Sequence, residues 1–209
     1  MSIKINNLTK KLKNNIIIDD ISLEIPNGKC VLFTGRNGCG KTTLFKLISG
    51  LYKPSSGNVT IDDQIIRKDT LFAKNLSILM DDIDFDPYLT GKQNLLALQK
   101  VSKKGTKESI DNALDRVGLS NAKDKKYKEY SLGMKKRLAI AQLIFEDNEY
   151  LLADEPTNAL DLTALELFRD IIKEQKAKNK TILLISHDIE DVEGLYDIKY
   201  NIDGGKLWN

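Results

Sequence analysis

Long hydrophobic runs are missing from this sequence. The longest apolar stretches are short ones such as Ile182 to Ile185, far below the roughly 18 residues that a membrane-spanning helix needs, so the chain is not expected to cross a membrane itself. Charge of one sign is missing too: 32 Lys and Arg stand against 30 Asp and Glu, a formal net charge of +2. With the basic residues scattered, no positive field argues for nucleic acid, whose non-specific binding depends on clustered Lys and Arg, and no nucleic-acid partner is expected. Cysteine is scarce. Cys30 and Cys39 fall in a segment that reads as strand then loop, too far apart along an extended chain to bridge comfortably, and reduced thiols are expected. Residues Met1 to Lys10 mix Lys, Asn and isolated Ile without a continuous apolar core, which excludes a secretory signal and makes the cytoplasm the default. Histidine is scarcer still, with His187 alone.

What is present suffices for a folded domain. The 209 residues, 41% of them hydrophobic, suit one domain over 1–209 with a real core and exclude global disorder. Short apolar runs at Cys30 to Thr34, Leu76 to Met80, Tyr150 to Ala153 and Thr181 to Ile185 read as buried parallel strands. Between them lie helical patterns over Lys41 to Ser49, Leu95 to Val101, Glu108 to Val117, Leu132 to Phe145 and Leu162 to Lys178. In the last, Leu162, Leu165, Phe168, Ile171 and Ile172 share one face. Strands alternating with helices imply an α/β core with a mainly parallel sheet. Near the N-terminus, Ile3 to Ile5, Ile21 to Ile25 and Val59 to Ile61 alternate apolar with polar, the texture of an antiparallel sheet with one wet face. Residues 83–140 carry helical signals without a strong strand and read as an inserted helical subdomain. Ile198 to Leu207, split by Gly204 and Gly205, reads as a hairpin.

The chemistry begins after the first buried strand. Gly35-Arg36-Asn37-Gly38-Cys39-Gly40-Lys41-Thr42-Thr43 matches G-x-x-x-x-G-K-[ST] between a strand and a helix, the context that gives the pattern meaning. Glycines let the backbone wrap a polyphosphate, successive N–H groups point inward, and the helix N-terminus adds positive potential. Lys41 is expected on the β- and γ-phosphates and the Thr42 hydroxyl on Mg²⁺. Cys39 reads as a small filler within that loop. The strand Tyr150 to Ala153 ends in Asp154 and Glu155, where parallel sheets present ligand-binding side chains. Asp154 is expected to hold Mg²⁺ through a water, and Glu155 to polarise the water that attacks the γ-phosphate. His187 follows the strand Thr181 to Ile185 and Ser186, so it reaches the same sheet edge and reads as a γ-phosphate contact.

With these parts in order, Tyr130-Ser131-Leu132-Gly133-Met134-Lys135-Lys136-Arg137 resembles the signature of ABC-type ATPases, and Asn158 to Asp161 resembles that family's D-loop. The likeness covers nearly the whole chain. It implies a P-loop NTPase core, ATP and Mg²⁺ as ligands, and Ser131, Gly133 and Asp161 joining the phosphate-loop residues around nucleotide. In that family the signature of one subunit covers the ATP held by another, so it implies a second copy of this chain or a related ATPase as partner. Because the chain has no membrane span of its own, the resemblance further implies separate transmembrane permease subunits and a peripheral location on the inner face of the cell membrane. Leu132 and Met134 make the signature similar to that of drug and bacitracin-type exporters.

Two positions depart from the family pattern. The aromatic that stacks on adenine falls at Leu12, which offers an apolar contact without a π face. The family's glutamine after the core strand Leu76 to Met80 falls at Asp81, whose carboxylate is expected to join Thr42 and Asp154 on Mg²⁺ and to link it to the permease-facing segment around Asp84, Asp86 and Thr90 to Leu95. The lysines around Lys103 to Lys107 and Lys123 to Lys128 read as solvated faces. A soluble ABC protein acting on a ribosome, DNA or an assembly scaffold is the alternative. Its ribosomal form carries two ATPase units in one chain and its DNA-repair form a long coiled coil, and neither pattern is here. A GTPase or small-molecule kinase shares the phosphate loop but leaves Ser131 to Arg137 unexplained, and no N-K-x-D guanine element occurs.

Overall fold

Cys30–Thr34 carries no side chain suited to water except at its end, and it becomes β3, buried at every position. The computed structural model describes residues 2–80 and 84–208. In it β3 is flanked by two parallel neighbours, β8 (Thr181–Ile185) and β9 (Ile198–Asp203). With β6 (Leu76–Leu79), β7 (Tyr150–Asp154) and β10 (Lys206–Trp208) they form a sheet in the order β10-β9-β3-β8-β7-β6, antiparallel only at the β9–β10 hairpin. Period-two alternation sends side chains of each central strand to two separate cores. Cys30, Leu32, Leu151, Ala153, Ile182 and Leu184 face one, and Val31, Phe33, Tyr150, Leu152, Leu183 and Ile185 face the other. Both Cys30 and Cys39 are free thiols, and burial pushes the Cys30 thiol up to about 12.

The second core is closed by α1 (Lys41–Ser49) and by an antiparallel sheet of β2 (Asn15–Pro26), β1 (Ser2–Leu12), β4 (Ser56–Ile61) and β5 (Gln64–Ile65) in that order. Tyr150 ties the two sheets together. Its ring is fully buried and its hydroxyl donates to Asp62 Oδ1 at 2.5 Å, in the turn between β4 and β5. Burial, and then the Asp62 bond, push its pKa up. Tyr150→Phe strands the Asp62 acceptor and is expected to cost ~1.5–3 kcal/mol, read as a lower urea midpoint at unchanged slope. Because the folded pKa is raised, the stability that this proton confers is present below the unfolded value of 10.0 and lost as pH rises above it. The alkaline loss should shrink in the Phe variant.

The first core is closed by helices from the segment between β6 and β7 and by α5 (Leu162–Ala177). That segment holds α2 (Gly91–Ser102), α3 (Lys107–Arg116) and α4 (Leu132–Phe145), with short 3₁₀ turns at Ser120–Ala122 and Tyr127–Glu129 and no strand among its described residues. Thr90 caps α2 in a reciprocal box with Gln93, and Thr106 does the same for α3 with Ser109. The Thr90 cap starts α2 four residues ahead of the apolar pattern at Leu95. The expected face of α5 is corrected at its start. Leu162 is 81% exposed, because it follows the N-cap directly and overhangs the first buried turn, whereas Phe168, Ile171 and Ile172 are buried. Lys104 is not a simple solvated lysine either, since its ammonium bonds Asn148 Oδ1 at 2.6 Å and also Asn75. The outermost strand β6 has one carbonyl, Ile78 O, occupied by Gln142 Nε2 at 3.2 Å.

Candidate active site

Three loops meet at the C-terminal edge of the parallel sheet, because β8 lies between β3 and β7 and all three run the same way. After β3 the chain turns through Gly35 and enters α1 through Gly40, at φ 142° and 112°. A Cβ on Gly35 would stand 2.2 Å from the Ile202 carbonyl oxygen, and one on Gly40 2.7 Å from that of Ile17. Backbone from β9 and β2 therefore presses on the loop, and only glycine fits there. The Cys39 sulfur packs over Gly35, 2.9 Å from where its Cβ would be, in keeping with a filler. Lys41 is buried, with Nζ donating to the carbonyls of Gly35 at 2.7 Å and Arg36 at 3.2 Å. Arg36, Asn37 and Gly38 are exposed.

Thr42 Oγ1 donates to Asp154 Oδ2 at 2.6 Å, which joins the start of α1 to the end of β7. Glu155, one residue on, has φ 49°, a left-handed conformation that costs an L residue about 1 kcal/mol. Its N–H donates to Ile185 O at 3.0 Å, which holds that turn against β8. The carboxylate, 15% exposed, meets His187 twice: Oε2 lies 2.8 Å from Nδ1 and accepts the His187 N–H at 3.3 Å. The imidazole itself is 57% exposed. Asn37, Gly38, Gly40 and Lys41 to Thr43 form one wall of a cavity of about 260 Å³, and Asp154 and Glu155 form the other.

Other predicted site residues lie outside that cavity. Ser131 caps α4, accepting Met134 N–H at 3.3 Å, and is exposed beside Gly133 and Leu132, which is 61% exposed. Asp161 caps α5 through Ala164 N–H at 2.8 Å and accepts from Arg137 at 3.3 Å. None of these groups lines the cavity that holds Lys41. Asp84 accepts from the Tyr127 hydroxyl and from Phe85 N–H, while Asp86 accepts Tyr88 N–H at 2.8 Å. Both carboxylates are thus held, Asp86 within its own turn and Asp84 also by the distant Tyr127. Burial, followed by the Asp84 bond, pushes the Tyr127 hydroxyl pKa up. Asp81 lies outside the described residues. Leu12 pairs with Asn15 at the tip of the β1–β2 hairpin and is 42% exposed.

The cradle fits a triphosphate. Glycines forced by close backbone, a helix N-terminus and a buried ammonium converge on one cavity, and its hydroxyl and carboxylate are oxygen donors of the hard type that Mg²⁺ prefers. Residues 18–158 match the ABC transporter family model. The chain belongs to the family of ABC transporter ATP-binding proteins. This ABC cassette is 38% identical over 205 residues to YybJ of Bacillus subtilis, an ABC transporter ATP-binding protein, covering 98% of this chain and 94% of that one. It is 36% identical over 199 residues to the bacitracin transport ATP-binding protein BcrA of Enterococcus faecalis, covering 94% of this chain and 64% of BcrA. Its fold superposes with TM-score 0.90 on the ATP-binding cassette MJ0796, solved as a dimer bound to ADP and Pi, at 24% identity and coverage of 99% and 97%. As an ABC ATPase it binds ATP and hydrolyses it. Among the described residues no helix is long and apolar enough to cross a membrane.

Proposed function

We propose that this ABC ATPase powers a separate membrane permease, exporting drugs or peptides, by closing on ATP as a pair of subunits and opening after hydrolysis. The observation that carries the reading is the convergence of Lys41, Thr42, Asp154, Glu155 and His187 at one sheet edge. Lys41 neutralises β- and γ-phosphate charge, and Thr42 with Asp154 would hold Mg²⁺. Mg²⁺ supplies charge neutralisation across the phosphates. Glu155 orients the attacking water and accepts its proton, while His187, bonded to that carboxylate, faces the γ-phosphate. The exposed N-terminus of α4, with Ser131 and Gly133, suits a second copy or a related ATPase whose phosphate loop it would cover. Asp161, fixed by its cap and by Arg137, would shape the adjoining edge.

A permease partner is supported by a cleft of about 220 Å³ beside β6, lined by Leu51, Ile78, Leu98 and Val101, with Val101 84% exposed and Leu71 and Phe72 exposed as well. Apolar surface of this kind marks an interaction site. Export is supported by the likeness to BcrA, which is named for bacitracin transport. On this reading the chain works at the inner face of the cell membrane. The test is co-purification in mild detergent with reconstitution of the membrane protein recovered. Hydrolysis should rise when that protein is added, and Val101→Glu should lower the stimulation at least tenfold. Hydrolysis that responds to no membrane protein, and a chain recovered on a ribosome or DNA instead, would favour the soluble alternative.

A further inference from the structure

His187 sits on a turn with little support of its own. It is followed by α6 (Ile189–Val192), a helix of four residues, too short to persist without tertiary help. The last carbonyls of such a helix need external donors. Arg169, on α5, supplies them. Its Nη1 donates to Glu190 O at 3.1 Å and to Asp191 O at 2.9 Å, and its Nη2 to Glu193 O at 2.8 Å. A guanidinium is suited to this: its rigid fork meets several acceptors at once, and a cation at a helix C-terminus is favoured by the helix dipole. At the other end of the turn the fully buried Ser186 donates Oγ to Asp188 O at 2.7 Å. Val192 at the end of α6 and Leu195 just beyond it are fully buried and fix the segment to the first core. The turn bearing His187 is therefore pinned before and after, and the imidazole it carries meets Glu155 at 2.8 Å.

We infer that Arg169 is a positioning residue for ATP hydrolysis, setting the His187 turn against Glu155 by holding the carbonyls of the helix that follows. The inference rests on the reading of His187 as a γ-phosphate contact. It touches neither nucleotide nor water in that reading, and acts through the imidazole. Charge alone does not do this work, because the bonds are to three backbone carbonyls within four residues, Glu190, Asp191 and Glu193, and need the fork. Arg169→Lys keeps the charge and loses the fork, whereas Arg169→Met keeps only the apolar stem.

The lone histidine makes the test direct, since in untagged protein the only imidazole ring signals are those of His187. The expected result for Arg169→Met is a displaced or broadened His187 ring signal and a kcat about tenfold lower, with KM for ATP within twofold of the parent. Arg169→Lys should fall between, and Ser186→Ala should move the same signal from the opposite end of the turn. In a His187→Ala background, Arg169→Met should add less than twofold. An unchanged ring signal in both Arg169 variants, or the same tenfold loss with His187 already removed, would overturn the inference. Full activity of His187→Ala alone would instead sink the reading of His187 itself.

Discussion

Glu155→Gln is expected to lower ATP turnover by ~10²–10⁴-fold, the contribution of a positioned general base, while nucleotide still binds. The variant keeps the shape of the side chain and an oxygen that accepts the His187 N–H, and it removes only the capacity to take a proton from water. Its backbone already stands at φ 49°, which Gln tolerates as well as Glu. If closure on ATP precedes cleavage, blocking cleavage should hold the paired form, and the scattering mass under saturating Mg-ATP should approach twice that of the nucleotide-free sample. Turnover within threefold of the parent would remove Glu155 from the role of base. Loss of turnover without pairing would leave the base in place and defeat the paired mechanism.

Lys41→Ala is expected to weaken nucleotide binding by about 10- to 150-fold, from the ~1.5–3 kcal/mol that a hydrogen bond to a charged group contributes. Lys41 is buried and held by Gly35 and Arg36 carbonyls, so its ammonium reaches the phosphates already oriented by the loop it belongs to. Truncation also deprives two loop carbonyls of a donor. A fluorescent nucleotide titration reads the change, and circular dichroism checks the fold. An affinity within threefold of the parent would show that the backbone amides of the loop bind phosphate without the lysine.

The core of this fold was legible because buried parallel strands are short, uniformly apolar and closed by turn residues, as at Cys30–Thr34 and Thr181–Ile185. The phosphate loop and the Asp154–Glu155 pair were legible because their chemistry is local in sequence. Contacts between distant segments were not. Nothing in the spacing of Arg169 and His187 shows that a helix and a post-strand turn will touch, since that depends on how α5 lies against β8. Leu162 matched the apolar face by period, yet period takes no account of the overhang beyond an N-cap. Lys104 read as solvated charge because its partner, Asn148, becomes a neighbour through a chain closure that no periodicity encodes.

The strand that ends the large sheet, β6, spans four residues, and Gln142 occupies one of its outward carbonyls. An open strand edge is a template on which another polypeptide can add, and repeated addition leads to fibres. A short edge with part of its hydrogen-bonding capacity already spent offers poor purchase for such growth. Gln142→Leu would free Ile78 O beside an apolar cleft, making this margin of the molecule the place where aggregation on storage or overproduction should first increase.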